Sequence, residues 1–238
     1  MASIAALCKR KGWAFLYITN TLSATLRENI GGNLKAALDD GMQLLELPHD
    51  EYQNVIASLY GPAPDARVRW SEGDLLLAQG GADLGAKEGV AHLAEEIEAW
   101  QQEQKIDKLT VVTPSGTGTT AYFLAASLPA LDVVTTPLIG SESYLREQMA
   151  HLGALPENLR LLETEKRYRF AKPYREYMDV YKELLEEGVE IDLLYAPKMF
   201  IALSALLDEI EGVILYVHSG GVKGNSSMIE RYRHKGML

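Results

Sequence analysis

The stretch Leu109–Leu128, LTVVTPSGTGTTAYFLAASL, decides the fold. Leu109–Thr113 is an apolar run closed by a proline, which predicts a buried strand. Ser115–Thr120 predicts a turn of small residues, and Ala121–Leu128 predicts a helix. A buried strand that turns directly into a helix is the first half of a parallel βαβ unit. We therefore predict an α/β fold with a parallel sheet here.

The same alternation of short apolar runs and amphipathic helical stretches continues on both sides. Further strands are predicted at residues 13–18, 42–47, 131–138, 191–195 and 213–217. Further helices are predicted at residues 2–10, 52–60, 85–103, 141–151, 174–187 and 198–209. The segment 61–73, GPAPDARVRWSEG, holds prolines, glycines and mixed charge and marks a boundary. We predict a smaller α/β domain over residues 2–62 and a larger one over residues 63–238, with a cofactor crevice between them.

Composition limits the class of partner. The 238 residues are 47% hydrophobic and carry a net charge of -10, which argues against nucleic acid or an anionic membrane as the main partner. A small anion stays possible, because local backbone N–H groups bind it regardless of net charge. The single cysteine, Cys8, excludes an intrachain disulfide, and we interpret it as a buried thiol rather than a nucleophile. No run approaches the about 18 apolar residues of a membrane span, and we expect a cytoplasmic protein.

The turn Ser115–Thr120 has the properties of an anion site. Its small residues allow a ligand to approach closely, and its N–H groups and the positive end of the following helix would face a phosphate. The glycine spacing matches neither a phosphate-binding Walker loop nor a dinucleotide fingerprint. The alternative is an ordinary turn between a strand and a helix.

Two other predicted strands end in chemically useful residues. VILYVHSGG, residues 213–221, places His218 at a strand end, either as a general base or, as we favour, as a strand cap. IDLLYAPKMFIAL, residues 191–203, places Tyr195 where its ring could stack on a flat cofactor. Lys198 in the same stretch is either a Schiff-base lysine or, as we favour, a surface lysine in the first turn of a helix.

Together these motifs resemble the fold-type II pyridoxal-phosphate (PLP) enzymes, a superfamily like the β subunit of tryptophan synthase. The similarity is greatest to the 1-aminocyclopropane-1-carboxylate deaminase and D-cysteine desulfhydrase family. It rests on motifs in the family's order from about residue 2 to about residue 225, namely IGGNLKAAL, GMQLLEL, GGADLGAKEGVAHLAEEI, SGTGT, DLLYAPKMFIAL and YVHSGG.

The resemblance implies pyridoxal 5'-phosphate as cofactor, a small amino acid as substrate and a homodimer. It assigns the cofactor phosphate to Ser115, Gly116, Thr117, Gly118, Thr119 and Thr120. Tyr195 would lie beside the pyridine ring and the substrate as the catalytic candidate, and Ser219 would face the ring nitrogen. Ala196 stands where the deaminases carry glutamate, which weakens the assignment to 1-aminocyclopropane-1-carboxylate itself. No metal is implied.

The Schiff-base lysine of the family lies in a Gly-Asn-Lys segment ahead of a Ser-Asn-His stretch, and neither is found in this chain. The sequence that surrounds the family lysine is not found around Lys9, Lys11, Lys35, Lys87 or Lys198. We therefore expect little or no turnover from the chain as given, whether it is a fragment, has a misassigned start or is a degenerate homologue.

Three functional hypotheses remain. The first is a PLP-dependent lyase or deaminase acting on a small amino acid. The second is a non-catalytic homologue that binds PLP or another phosphate ligand. The third is a phosphosugar- or nucleotide-binding α/β protein outside the family.

Overall fold

The computed structural model describes residues 1–28, 30–59, 65–68 and 71–238. Within it the chain divides into two compact units, Met1–Leu76 and Leu77–Leu238. The boundary predicted after residue 62 falls on residues 60–64, which lie outside the described residues, as do residues 69 and 70. Each unit is an α/β structure with its own parallel sheet.

The first unit contains a two-stranded parallel sheet of β1 (Leu16–Asn20) and β2 (Gln43–Leu47). Its helices are α1 (Ala2–Lys11), α2 (Ala24–Glu28), α3 (Gly32–Asp39) and α4 (His49–Leu59). Ala5, Leu34, Ala37 and Met42 form the core around α1 and α3. The cysteine of α1, Cys8, is only partly buried, so the expected burial of this thiol is not fully met.

The first strand begins later than the predicted Trp13–Ile18. Gly12 ends α1 in a left-handed conformation at φ 69°, and the N–H of Trp13 donates to the carbonyl of Cys8 at 2.9 Å. In these hydrogen bonds, the N–H groups of the first residues after the helix donate to its last carbonyls. The extended conformation therefore begins later in the sequence. Trp13 is accordingly 62% exposed instead of lying in a strand.

The second unit is built on a four-stranded sheet in which every pairing is parallel, in the order β5-β4-β3-β6. Its strands are β3 (Leu109–Ser115), β4 (Asp132–Pro137), β5 (Leu159–Leu161) and β6 (Val213–Tyr216). Its helices are α5 (Ala86–Glu103), α6 (Thr119–Ser127), α7 (Glu142–Ala150), α8 (Arg175–Glu186), α9 (Ala196–Ser204) and α10 (Asn225–His234). The predicted α/β fold with parallel sheets is confirmed.

Both faces of this sheet are covered. Successive side chains of a strand point to opposite faces, and β3 shows this with two adjacent valines. Val111 packs in the cluster formed with α5, α6 and α7, whereas Val112 packs with Met199 and Ala202 of α9. Every residue of β3 is buried, and its sequence accordingly contains no charged side chain.

The predicted strand Ile191–Tyr195 is wrong. These residues form a bend that leads into α9, and their backbone N–H groups are bonded by side chains instead of a neighbouring strand. The N–H of Leu193 donates to Asn225 Oδ1 at 2.8 Å, and the N–H groups of Leu194 and Tyr195 donate to Asp192 Oδ1. The segment ends the connection between α8 and α9 and is largely buried without pairing in the sheet. Sequence periodicity alone cannot distinguish such a segment from a strand.

Smaller differences concern element ends. The helix predicted at 198–209 is α9 followed by a separate 3-10 turn at Leu207–Glu209, while β5 and α10 were not predicted. In the part of the chain that the structure describes, no helix has both the length and the apolar character needed to cross a membrane.

The interpretation of Lys198 as a surface lysine is also wrong. Lys198 is 6% exposed, and its Nζ donates a hydrogen bond to the carbonyl oxygen of Pro137, the last residue of β4. Burial lowers the pKa of the amine from its ordinary value, and the nearby carboxylate of Glu163 opposes that shift. The side chain therefore ties the first turn of α9 to the carboxyl end of the sheet.

Asn158 provides a test of how the sheet and α6 are joined. Its Nδ2 lies 3.1 Å from the carbonyl of Ala125, 2.9 Å from that of Leu128 and 2.7 Å from that of Leu131. We expect Asn158→Ala to lower the free energy of unfolding by about 2 kcal/mol, because carbonyls at the end of α6 lose their donor. Urea unfolding measures this, with the exposed Asn54→Ala as control. Equal stability of the two variants would contradict the prediction.

Lys198→Met tests the buried amine through pH. A lysine whose pKa is lower in the folded state than its ordinary 10.5 binds fewer protons when folded, so the contribution of Lys198 to stability should rise with pH up to about that value. Methionine cannot titrate, and the stability of wild type relative to Lys198→Met should therefore be higher at about pH 10.5 than at about pH 7.5.

The exposed Lys182→Met serves as the matched control for this pH series, and its stability should stay parallel to wild type. Unfolding in urea at the two pH values gives all three curves. A constant difference between wild type and Lys198→Met across this range would show that the amine is not desolvated.

Candidate functional site

Two of the predicted site segments in the second unit, the Ser115–Thr120 loop and the segment that carries Ser219, lie at the carboxyl edge of the sheet. β3 and β6 are parallel neighbours, and the pairing continues past β6, where the N–H of Val217 donates to Val112 O at 2.8 Å. Thr113 Oγ1 in turn donates to the carbonyl of Val217 at 3.3 Å. The loop at Ser115–Thr120 and the segment His218–Gly221 therefore leave the sheet side by side. This is the edge at which open α/β sheets bind ligands.

The loop after β3 presents backbone donors that the protein does not use. In the part of the chain that the structure describes, the N–H groups of Gly116, Thr117, Gly118, Thr119 and Thr120 have no acceptor. The helix that follows, α6, has no side-chain cap, although Gly118 and Thr119 are buried. Buried N–H groups without partners are costly, so an anion or water must satisfy them.

The hydroxyl groups of the loop are arranged unequally. Ser115 is 3% exposed, and its Oγ lies 2.6 Å from Thr135 Oγ1, which itself donates to Thr113 O. The Ser115 hydroxyl therefore donates to Thr135 and faces the sheet interior. Thr117 and Thr119 share a hydrogen bond of 3.0 Å between their hydroxyls, beside the free N–H groups. The threonines are thus better placed than Ser115 to offer a hydroxyl to a ligand.

Two glycines allow the loop to adopt this shape. Gly118 has a φ of 82°, and a Cβ at this position would lie 2.4 Å from Met149 Cε. Gly80, in the 3-10 turn Gln79–Gly81, approaches from the other side, where a Cβ would lie 2.8 Å from Thr117 Cγ2. The Gly80-Gly81 pair belongs to a quoted family motif, but the sequence does not show that it packs on the loop.

Tyr195 and Ser219 stand where α9 begins and where β6 has ended. Tyr195 is half-buried, and its ring lies 5.8 Å from that of Phe170 at an angle of 58° between the ring planes. Ser219 is exposed, and its hydroxyl has no hydrogen-bond partner among the described residues. Phe170 was not predicted as a site residue, because nothing in the sequence links the segment before α8 to Tyr195.

His218 has a carboxylate partner that is distant in the sequence. Asp192 lies 26 residues upstream, and its Oδ2 is 3.4 Å from His218 Nε2. The N–H of Asp192 also lies 3.2 Å from the same ring nitrogen. Nε2 accepts from that N–H when it carries no proton and donates to the carboxylate when it carries one, so the two contacts belong to different proton placements on the ring. The ring is engaged with Asp192 in either state.

Among the described residues, no cluster of three or more histidine, cysteine, aspartate or glutamate side chains is placed to bind a metal ion. The donors gathered at this edge of the sheet are instead backbone N–H groups and hydroxyls, which suit a phosphate group. An organic phosphate therefore fits this site better than a metal ion does.

Comparison with known proteins supports the resemblance to the fold-type II PLP enzymes. No family model matches the chain. A protein of Thermotoga maritima named "Putative 1-aminocyclopropane-1-carboxylate deaminase" is 25% identical over 210 residues, which cover 82% of this chain and 66% of that protein. The chain thus spans just under two thirds of the length of this relative.

Solved structures share the fold. A homologue of 1-aminocyclopropane-1-carboxylate deaminase superposes with a TM-score of 0.65 at 20% identity, covering 94% of this chain and 72% of the other. Threonine deaminase isoform 2 from Solanum lycopersicum gives a TM-score of 0.59 at 13% identity, covering 100% of this chain and 71% of the other. The predicted resemblance is therefore confirmed: the chain has the fold of the fold-type II PLP-dependent enzymes and is similar to proteins named as 1-aminocyclopropane-1-carboxylate deaminases.

Proposed function

We propose that this chain binds pyridoxal 5'-phosphate and forms the cofactor-binding part of a lyase or deaminase that acts on a small amino acid. The observation that carries the proposal is the row of free N–H groups from Gly116 to Thr120. These donors, the N-terminus of α6 and the hydroxyls of Thr117 and Thr119 all belong to one short loop and the start of the helix that follows it. A phosphate dianion there would satisfy every one of these requirements.

The pyridine ring would lie beside Tyr195 and Ser219. When bound, PLP supplies an electron-withdrawing ring that eases the removal of a proton next to an amino group. Tyr195 would limit the tilt of the ring, and Phe170 packs against the tyrosine. The Ser219 hydroxyl would offer a neutral hydrogen bond to the ring nitrogen, which does not hold a proton there as a carboxylate would.

The substrate is proposed to be closer to D-cysteine than to 1-aminocyclopropane-1-carboxylate. Ala196 follows Tyr195 where the deaminases carry glutamate, and Ala196 is buried at the start of α9. Without a carboxylate at this position, the site lacks a charged group that the deaminases carry. A homodimer and a cytoplasmic location, which the family resemblance and the composition suggest, stay predictions.

A non-catalytic PLP-binding role is the second candidate, and Lys198 is the observation that favours it. Its amine donates to the carbonyl of Pro137 and the residue is 6% exposed, so a cofactor aldehyde could not reach the amine without a local rearrangement. If this role is correct, the chain binds PLP reversibly and releases it on dialysis. Borohydride treatment followed by peptide mass mapping should then find no lysine carrying PLP, and a labelled lysine would contradict this candidate.

Gly116→Asp tests the phosphate site. A Cβ at Gly116 meets no atom within 4 Å, so the substitution adds a negative charge with little steric cost. We expect at least a tenfold rise in the Kd of PLP, equivalent to about 1.4 kcal/mol, because the carboxylate would repel the phosphate. Titration of PLP absorbance or equilibrium dialysis measures the Kd.

The controls separate charge from shape. Gly116→Asn adds the same volume without charge and should weaken PLP binding less, while Gly89→Asp makes the same exchange at an exposed position of α5 and should change nothing. Gly118→Asp is unsuitable, since a side chain there would collide with Met149 and Leu145 whether or not a ligand binds. An unchanged affinity in Gly116→Asp would mean that the loop is purely structural.

A further inference from the structure

Tyr195 and Ser219, the two residues proposed to flank the pyridine ring, belong to segments that one buried carboxylate holds together. That carboxylate is Asp192, which is 2% exposed. We propose that Asp192 is a positioning residue that fixes the start of α9 against the His218–Gly221 segment and so sets the spacing between Tyr195 and Ser219. This inference rests on the proposed function, because it concerns the two groups assigned to the cofactor ring.

On one side, Asp192 holds the backbone that carries Tyr195. Its Oδ1 accepts hydrogen bonds from the N–H of Leu194 at 2.9 Å and from that of Tyr195 at 2.6 Å. Its Oδ2 accepts from the N–H of Ala196 at 3.3 Å. Both carboxylate oxygens therefore accept N–H groups at the start of α9, an arrangement that satisfies donors of a helix N-terminus.

On the other side, Asp192 contacts the segment that carries Ser219. A Cβ at Gly220 would lie 2.3 Å from Asp192 Cγ and 2.3 Å from its Oδ2. Gly220 does not have a positive φ, so its small size, rather than its conformational freedom, is what this contact requires. His218 adds the contacts of its Nε2 with the N–H and Oδ2 of Asp192.

The carboxylate does more than cap α9. A side chain that only capped a helix could lie at the surface, where water would complete its hydrogen bonds. Asp192 is instead enclosed between two segments, and in the described part of the chain His218 is the only side chain that could neutralise its charge. Burying a carboxylate costs free energy unless its oxygens accept hydrogen bonds. The two segments that supply these contacts to Asp192 are therefore held in place together.

A double-mutant cycle tests the contact without any cofactor. Gly220→Ala should lower the Tm by several degrees in the wild-type background, because its Cβ collides with the carboxylate. In an Asp192→Ala background, the colliding atoms are gone, and the same exchange should cost much less. Additive losses of Tm would overturn the proposed contact, and strong coupling would support it.

PLP binding tests the positioning role. Asp192→Asn keeps the shape of the side chain but replaces one acceptor oxygen by a donor, and we expect at least a tenfold rise in the Kd of PLP. Asn225→Ala is the matched control, since Asn225 anchors the N–H of Leu193 and the carbonyl of Ile191 in the same bend, and among the described residues its side chain makes no hydrogen bond to the His218–Gly221 segment. It should lower the Tm to a similar degree and change the Kd much less.

The absorption maximum of bound PLP gives a second readout, because it reports on the surroundings of the ring. It should shift in Asp192→Asn and stay unchanged in Asn225→Ala. If the two variants lose PLP affinity equally, or if Asp192→Asn binds as wild type does, Asp192 has only a structural role and the inference fails. If wild type itself binds no PLP, the proposed function fails first and the inference falls with it.

Discussion

The pairing of β3 with parallel strands on both sides is the constraint on which the rest of the second unit depends. β4 pairs with β3 as far as Ser115 and β6 pairs with it as far as Val112, and the chain leaves the sheet where this pairing ends. The left-handed Gly118 turns the chain into α6, and this leaves the N–H groups of the loop without acceptors. The candidate site is a consequence of that geometry.

The elements around this edge of the sheet pack closely, and small residues form their contacts. Gly80 packs on Thr117, Gly118 packs under Met149, and Gly220 packs against the carboxylate of Asp192. In each case a methyl group would occupy space that another side chain already fills. Lys198 adds a fourth contact by binding the last carbonyl of β4. The site is therefore shaped by backbone and small side chains, which suits the recognition of a phosphate more than that of a large apolar ligand.

Much of this could be predicted from the sequence, because local patterns decide it. The apolar run Leu109–Thr113, the small-residue turn and the following helix specify a strand, a loop and α6 without any distant partner. The segment Ile191–Tyr195 has the same apolar character, but Asn225 and Asp192 satisfy its N–H groups, so it is not a strand. The partner of His218 is 26 residues away in the sequence, and the burial of Lys198 depends on how α9 packs. Contacts of this kind follow from tertiary packing and leave no periodic signal, although an aspartate just before a helix is a recognisable capping pattern.

The central claim is that the backbone N–H groups of Gly116–Thr120 bind a phosphate. Two-dimensional proton–nitrogen NMR of the isotope-labelled protein tests this claim most directly. PLP and pyridoxal, which lacks the phosphate, are each titrated while the amide signals are followed. The account predicts that PLP shifts the amide protons of Gly116–Thr120 downfield, as new hydrogen bonds to an anion require, and that pyridoxal leaves them in place. Amide shifts confined to other segments, or equal shifts with both compounds, would contradict it.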